Sequence, residues 1–203
     1  MRQFTFIIAT LFIMNGCASK KPDDVWKFYA TSYFATFKDG KLKAQEVKAN
    51  TSYQRAVNHA KSGTHFETLK RIYLGKCALN IALLNEDTCT EYKAVADIDK
   101  DEVLDAYYHF LIGKSISDRS LLPKQYQKVH NIESVMDIEP IVSKFVVASQ
   151  IKEQFSQAQI DKLIDEASLY GYKALVIAWL EYGFKKFHDV SYKEKIEVLT
   201  NPQ

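Results

Sequence analysis

From Asp23 to Phe187 the apolar side chains recur at three- and four-residue spacings, and this one period limits what the chain can fold into. Sustained two-residue alternation is absent, and no two apolar runs are joined by an Asn-Gly or Asp-Gly turn. Breakers are sparse. Beyond Gly16 the glycines stand only at 40, 63, 75, 113, 171 and 183, and the prolines at 22, 123, 140 and 202 fall where a helix starts or a segment ends. The expectation is an all-α fold, one compact domain over residues 25–203, with about six to nine helices packed as helical hairpins in a partly repeat-like arrangement.

The first helical pattern runs from Asp23 to Phe37 and carries an aromatic stripe, with Asp39-Gly40 as its stop. Leu42 to Lys61 has few large apolar residues and reads as a more exposed helix or two. Thr64 opens the capping box THFE, which starts a helix to about Leu84 that is apolar nearly all round and hence central. Further helices are expected over residues 91–98, 100–112, 123–135 and 140–155. A second capping box, SQAQ at Ser156, opens one to about Tyr170. The last strong pattern is Tyr172 to Phe187, whose apolar run from Ala174 to Leu180 is too short to span a membrane. Ala167, Gly171, Leu175, Val176, Trp179, Leu180 and Gly183 are spaced like the two helices of an ankyrin repeat. A lone unit without the Thr-Pro-Leu-His start reads more simply as a helical hairpin.

The N-terminus is of another kind. One positive charge at Arg2 is followed by an apolar run from Phe4 to Met14, the pattern of an export signal. From these residues alone, an ordinary secretory signal or an uncleaved anchor also fits. Met14-Asn15-Gly16-Cys17 resembles the processing site of bacterial lipoproteins: apolar, variable, small, cysteine. The resemblance covers about twenty residues. It implies a signal peptide at 1–16, a diacylglyceryl group on the Cys17 thiol, and a lipidated N-terminus with a tether at 17–24. With Ala18 and Ser19 after the cysteine, it also implies sorting to the outer membrane, facing the periplasm.

On that reading 187 residues remain, carrying 26 basic and 25 acidic side chains. This balance gives nucleic acid no basic stripe to bind, so no nucleic-acid partner is expected. With Cys17 assigned to lipid, Cys77 and Cys89 are an even pair in an exported chain, and a disulfide between them is expected. Geometry complicates this. Cys77 lies about 10 Å below a turn at residue 84, so the helix must end early or the NEDTC segment must fold back along it.

Motifs that carry chemistry mostly fail on inspection. Asp97, Asp99 and Asp101 begin like a calcium loop, but Glu102 stands at the glycine position and Tyr108 at the bidentate glutamate position. Capping of the next helix explains the acids better. Gly113-Lys114-Ser115 lacks the first glycine of a phosphate loop, with Tyr108 in its place. The histidines at 59, 65, 109, 130 and 188 have no zinc spacing, and there is no GxSxG elbow. No metal, cofactor or catalytic residue is expected. The functional expectation is a membrane-anchored envelope lipoprotein with a helical binding or assembly domain for an envelope protein. An envelope enzyme acting on cell wall or lipid, and a protective immunity or exclusion lipoprotein, are the alternatives.

Overall fold

The computed structural model describes residues 25–63, 66–129 and 131–201. Cys17, the signal segment, the tether and Thr64 of the first capping box lie outside them. Among the described residues every regular element is helical: α1 (Val25–Leu42), α2 (Glu46–Lys61), α3 (Phe66–Ala82), α4 (Thr90–Lys93), α5 (Glu102–Leu111), α6 (Lys124–Gln127), α7 (Ile132–Met136), α8 (Ile141–Gln150), α9 (Gln157–Leu169), α10 (Lys173–Phe187) and α11 (Val190–Thr200). Short 3-10 turns at Arg119–Leu121 and Lys152–Gln154 precede α6 and α9. The all-α expectation holds. The helix count exceeds it because α4, α6 and α7 are one-turn pieces.

α1 and α2 form an antiparallel hairpin, α3 lies at the centre against α1, α2, α5 and α8, and α10 packs between α9 and α11. α3 is central because it is apolar nearly all round, burying Leu69, Ile72, Leu74, Cys77, Ala78, Leu79 and Ala82. None of the described helices is long and apolar enough to cross a membrane.

Three departures from the sequence pattern have visible causes. α1 does not stop at Asp39-Gly40 but runs to Leu42, and the chain turns at Ala44, whose φ is 59°. Gly40 lies within the helix at the close approach of α2: a Cβ on it would meet Ala49 at 3.2 to 3.3 Å. The helix expected over 91–98 shrinks to α4. Lys70, only 1% exposed, donates from Nζ to the carbonyls of Ala96 and Asp99, drawing residues 96–99 out of helical register. The stretch 123–135 splits in two. The Arg119 guanidinium donates to the carbonyls of Tyr126, Gln127 and Val129, which ends α6, and Asn131 with Ser134 forms a new capping box for α7. At the end of the chain α11 adds a helix beyond the last strong pattern.

Aromatics fill the core. Trp179, Tyr92, Tyr126, Tyr192, Phe145 and Phe155 are all fully buried. Burial is the largest cause pushing the phenols of Tyr53, Tyr73, Tyr92, Tyr107, Tyr126, Tyr182 and Tyr192 above their ordinary value of 10.0, Tyr182 to about 12. In the unfolded chain these groups ionise near 10, so their contribution is whole below that pH. It is lost as pH rises through the folded values, from about 10 to 12 for Tyr182, and above 10 for the others, whose folded values are likewise raised. The expected result is a urea midpoint that is level from about pH 8 to 10 and falls steeply above it, with phenolate absorbance rising in step with unfolding. A level midpoint to pH ~11.5 would contradict this burial.

Candidate functional site

Cys77 and Cys89 are joined by a disulfide with their Cα atoms 5.2 Å apart. Both geometric conditions are met. α3 ends at Ala82, with Leu84 in the left-handed region at φ 59°, and the Asn85 N–H returns to the Asn80 carbonyl at 2.9 Å. The NEDTC segment then folds back along α3. Asn80 donates from Nδ2 to Asp87 Oδ2 at 2.7 Å, and the Cys89 backbone N–H donates to Asp87 Oδ1 at 2.7 Å. Cys77, Cys89 and Asp87 are the trio of metal-ligand type whose donor atoms lie closest together among the described residues. Here the sulfurs bond each other, which leaves no thiolate for an ion.

Beside the disulfide, Glu91 Oε2 accepts from the Tyr53 hydroxyl at 2.8 Å and from Lys76 Nζ at 2.7 Å. These bonds tie α2, α3 and the start of α4 into one block. Asp101, from the acidic run, caps α5 by accepting from the backbone N–H groups of Val103 and Leu104, in line with the capping role read from the sequence.

The feature best suited to receive another molecule is a predominantly apolar cleft of about 670 Å³ between α9 and α11, floored by α10. Its construction begins at Ser156, where the expected capping box forms: Ser156 and Gln159 satisfy each other's backbone donors and start α9. Gly171, at φ +66°, turns the chain into α10, so the stretch with ankyrin-like spacing is a helical hairpin. His188, at φ 56°, ends α10, and Asp189 caps α11 by accepting from the Ser191 N–H at 2.9 Å. That backbone hydrogen bond, then the Ser191 hydroxyl and Gln157, hold the Asp189 carboxyl below the usual carboxylate range.

Among the described residues, the side-chain hydrogen bonds that tie α11 to α9 lie at its N-terminal end, while Ile196 and Leu199 pack against the core further along. Gln157 donates to Asp189 Oδ2 at 2.8 Å and the Tyr192 hydroxyl donates to Asp161 Oδ1 at 2.7 Å, both joining it to α9. The Tyr192 ring lies on α10 at Gly183, where a Cβ would approach it to 2.9 Å. Beyond these pins, towards Gly171, lies the cleft. Ile164, Val176 and Leu180 form its apolar floor, Asp165 and Lys173 stand on one side, and Glu194, Lys195, Val198 and Leu199 form the α11 wall. On the outer edge of that wall Val198 is 76% exposed.

Compared with known proteins, the chain matches no family model, and no curated protein or solved structure is significantly similar to it. Among the described residues lining the cleft there is no histidine or cysteine, and charges of both signs ring an apolar floor. Such a surface offers area and orientation to a ligand. Sequence reading identified the floor as part of a hairpin but missed the α11 wall; the Asp189-Val190-Ser191 cap was the signal that could have found it.

Proposed function

We propose that this chain is a lipoprotein of the bacterial cell envelope, anchored through an acylated Cys17 at the outer membrane, whose helical domain holds an envelope protein on the periplasmic side. The lipoprotein-like residues 14–17 support the anchor. The cleft between α9 and α11 carries the binding reading. A volume of about 670 Å³ over Ile164, Val176 and Leu180 accommodates a few apolar side chains, and the flanking Asp165, Lys173, Glu194 and Lys195 can pair with charges beside them. A short amphipathic helix has that combination: apolar residues at i, i+3 and i+4, charges on either side.

The test uses intact cells. A photo-crosslinking residue replacing Val198 is expected to give one discrete heavier product on irradiation, and one replacing exposed Lys100 is expected to give none. No product at 198, or the same products at both positions, would remove the cleft from the proposal. The anchor has its own readout: fatty-acid label on the chain is expected to vanish in Cys17→Ser, and label that persists would refute anchoring at this residue.

A further inference from the structure

The α1–α2 hairpin has an uneven charge distribution in a chain whose charges otherwise balance. No acidic residue occurs between Val25 and Lys38 or between Val47 and Phe66, while Lys27, Lys38, Lys48, Arg55 and Lys61 all do. The two acids of the hairpin sit at its turn and are paired there, Asp39 with Lys43 at 2.8 Å and Glu46 with Lys41 at 3.0 Å. At the opposite end, where α1 begins and α2 finishes, stand Lys27, Arg55 and Lys61, and along the chain just before it Lys20 and Lys21 offset Asp23 and Asp24, so the balance there is positive. The next acid along the chain, Glu67, is paired with Arg71 at 2.8 Å.

That basic end is also aromatic and exposed. Phe28 is 67% exposed, with Val25 and Tyr29 exposed beside it. Tyr29 and Tyr33 stack on His59 at centroid distances of 5.2 and 5.5 Å, and the Arg55 guanidinium lies 5.5 Å from the Tyr33 ring. Trp26, partly exposed, lies over Gly63, where a Cβ would come within 2.7 Å of its ring.

We propose that this end of the hairpin, made by Val25, Phe28 and Tyr29 with Lys27, Arg55 and Lys61, rests on an anionic phospholipid surface and sets the pose of the domain on its membrane. The inference rests on the anchoring reading above. An acylated Cys17 lies eight residues before Val25, so the tether reaches at most about 28 Å. The patch sits where the tether enters the fold, which makes it the first folded surface to meet the bilayer. Its chemistry matches that surface: aromatic rings favour the headgroup region, and lysine and arginine are drawn to anionic lipid. The acyl chains supply the hold and the patch supplies orientation.

The pose has a consequence for the cleft. α1 is 18 residues long, roughly 27 Å, and separates the patch from the hairpin turn. Tyr172, on the cleft rim, lies near enough to Lys43 at that turn for their charges to interact, and α1 also packs on α10. With the patch on lipid, the cleft is held on the side of the domain turned away from the bilayer.

The two tryptophans provide the test, because Trp26 flanks the patch and Trp179 is fully buried. The full lipidated chain is reconstituted in phosphatidylglycerol vesicles with brominated acyl chains, and tryptophan emission is compared with that in unbrominated vesicles. Trp26 emission is expected to fall by about twofold or more. The Trp26→Phe chain, which reports Trp179 alone, is expected to change little. Phe28→Asp with Tyr29→Asp, and separately Lys27→Glu with Arg55→Glu, are expected to abolish most of the quenching without moving the thermal melt. A lipidated, vesicle-bound chain whose Trp26 is unquenched would overturn the proposal, as would equal quenching in phosphatidylcholine. A protein cross-linked from position 28 in cells would overturn it too, by making the patch a protein interface. Failure of the anchor reads out separately, as absent fatty-acid label on Cys17.

Discussion

Replacing Trp179 by alanine is expected to lower the unfolding free energy by about 3 to 5 kcal/mol, the cost of emptying a large aromatic site in a packed core. Trp179 is fully buried on α10 and meets the Phe145 ring of α8 edge-on at 5.2 Å. Its indole N–H also donates to the Ala82 carbonyl at 3.0 Å, which is the last residue of α3. One side chain thus fills the space between helices and satisfies a carbonyl that the end of α3 leaves without a helical partner. Trp179→Phe separates the two roles. It keeps an aromatic ring and leaves the Ala82 carbonyl buried and unpaired, for an expected loss of about 1 to 3 kcal/mol. Urea unfolding followed by circular dichroism measures both, with the disulfide intact. Equal losses for the two variants would show that the hydrogen bond carries most of the effect; a loss below ~1 kcal/mol in Trp179→Ala would contradict the packing described here.

What the sequence made legible, and what it concealed, divides along one physical line. Features set by a residue's near neighbours were readable. The apolar spacing of α3, α9 and α10 and the Ser156 capping box all rest on contacts within a few residues. Features set by a distant partner were not. Gly40 looks like a helix stop, yet it lies inside α1 at the close approach of Ala49 of α2. The stretch 91–98 looks helical until the Lys70 ammonium, 26 residues before Ala96, takes its carbonyls. Arg119 divides 123–135 in the same way, by reaching carbonyls seven to ten residues ahead. α11 was concealed for the opposite reason. It is short and buries only Tyr192 fully, with Ile196 and Leu199 partly buried, so its apolar row at i, i+4 and i+7 is weak, and with it the sign of one wall of the candidate cleft.

The cysteine pair lies between those cases, and removing it is the second large effect expected. Cys77→Ala with Cys89→Ala is expected to cost about 3 kcal/mol on the chain-entropy model, given a sequence separation of 12. Cys89 is also the residue at which the returning segment is fixed to α3. Its φ of 54° is costly for a residue with a Cβ, and it is held between the Asp87 carboxylate and the disulfide. Glu91, two residues on, carries the bonds to Tyr53 and Lys76, and buried Tyr92 follows it. Freeing residue 89 should therefore loosen more than a loop. Amide exchange in the double variant is expected to speed up over residues 85–93 by more than at α9 and α10, which share no contact with the bridge in the chain of bonds described. Denaturing the unreduced wild-type chain should leave neither Cys77 nor Cys89 open to alkylation, and two reactive thiols there would refute the bridge. Unchanged exchange in the double variant would instead assign the fold-back to Asn80 and Asp87, with the sulfurs joining a segment already in place.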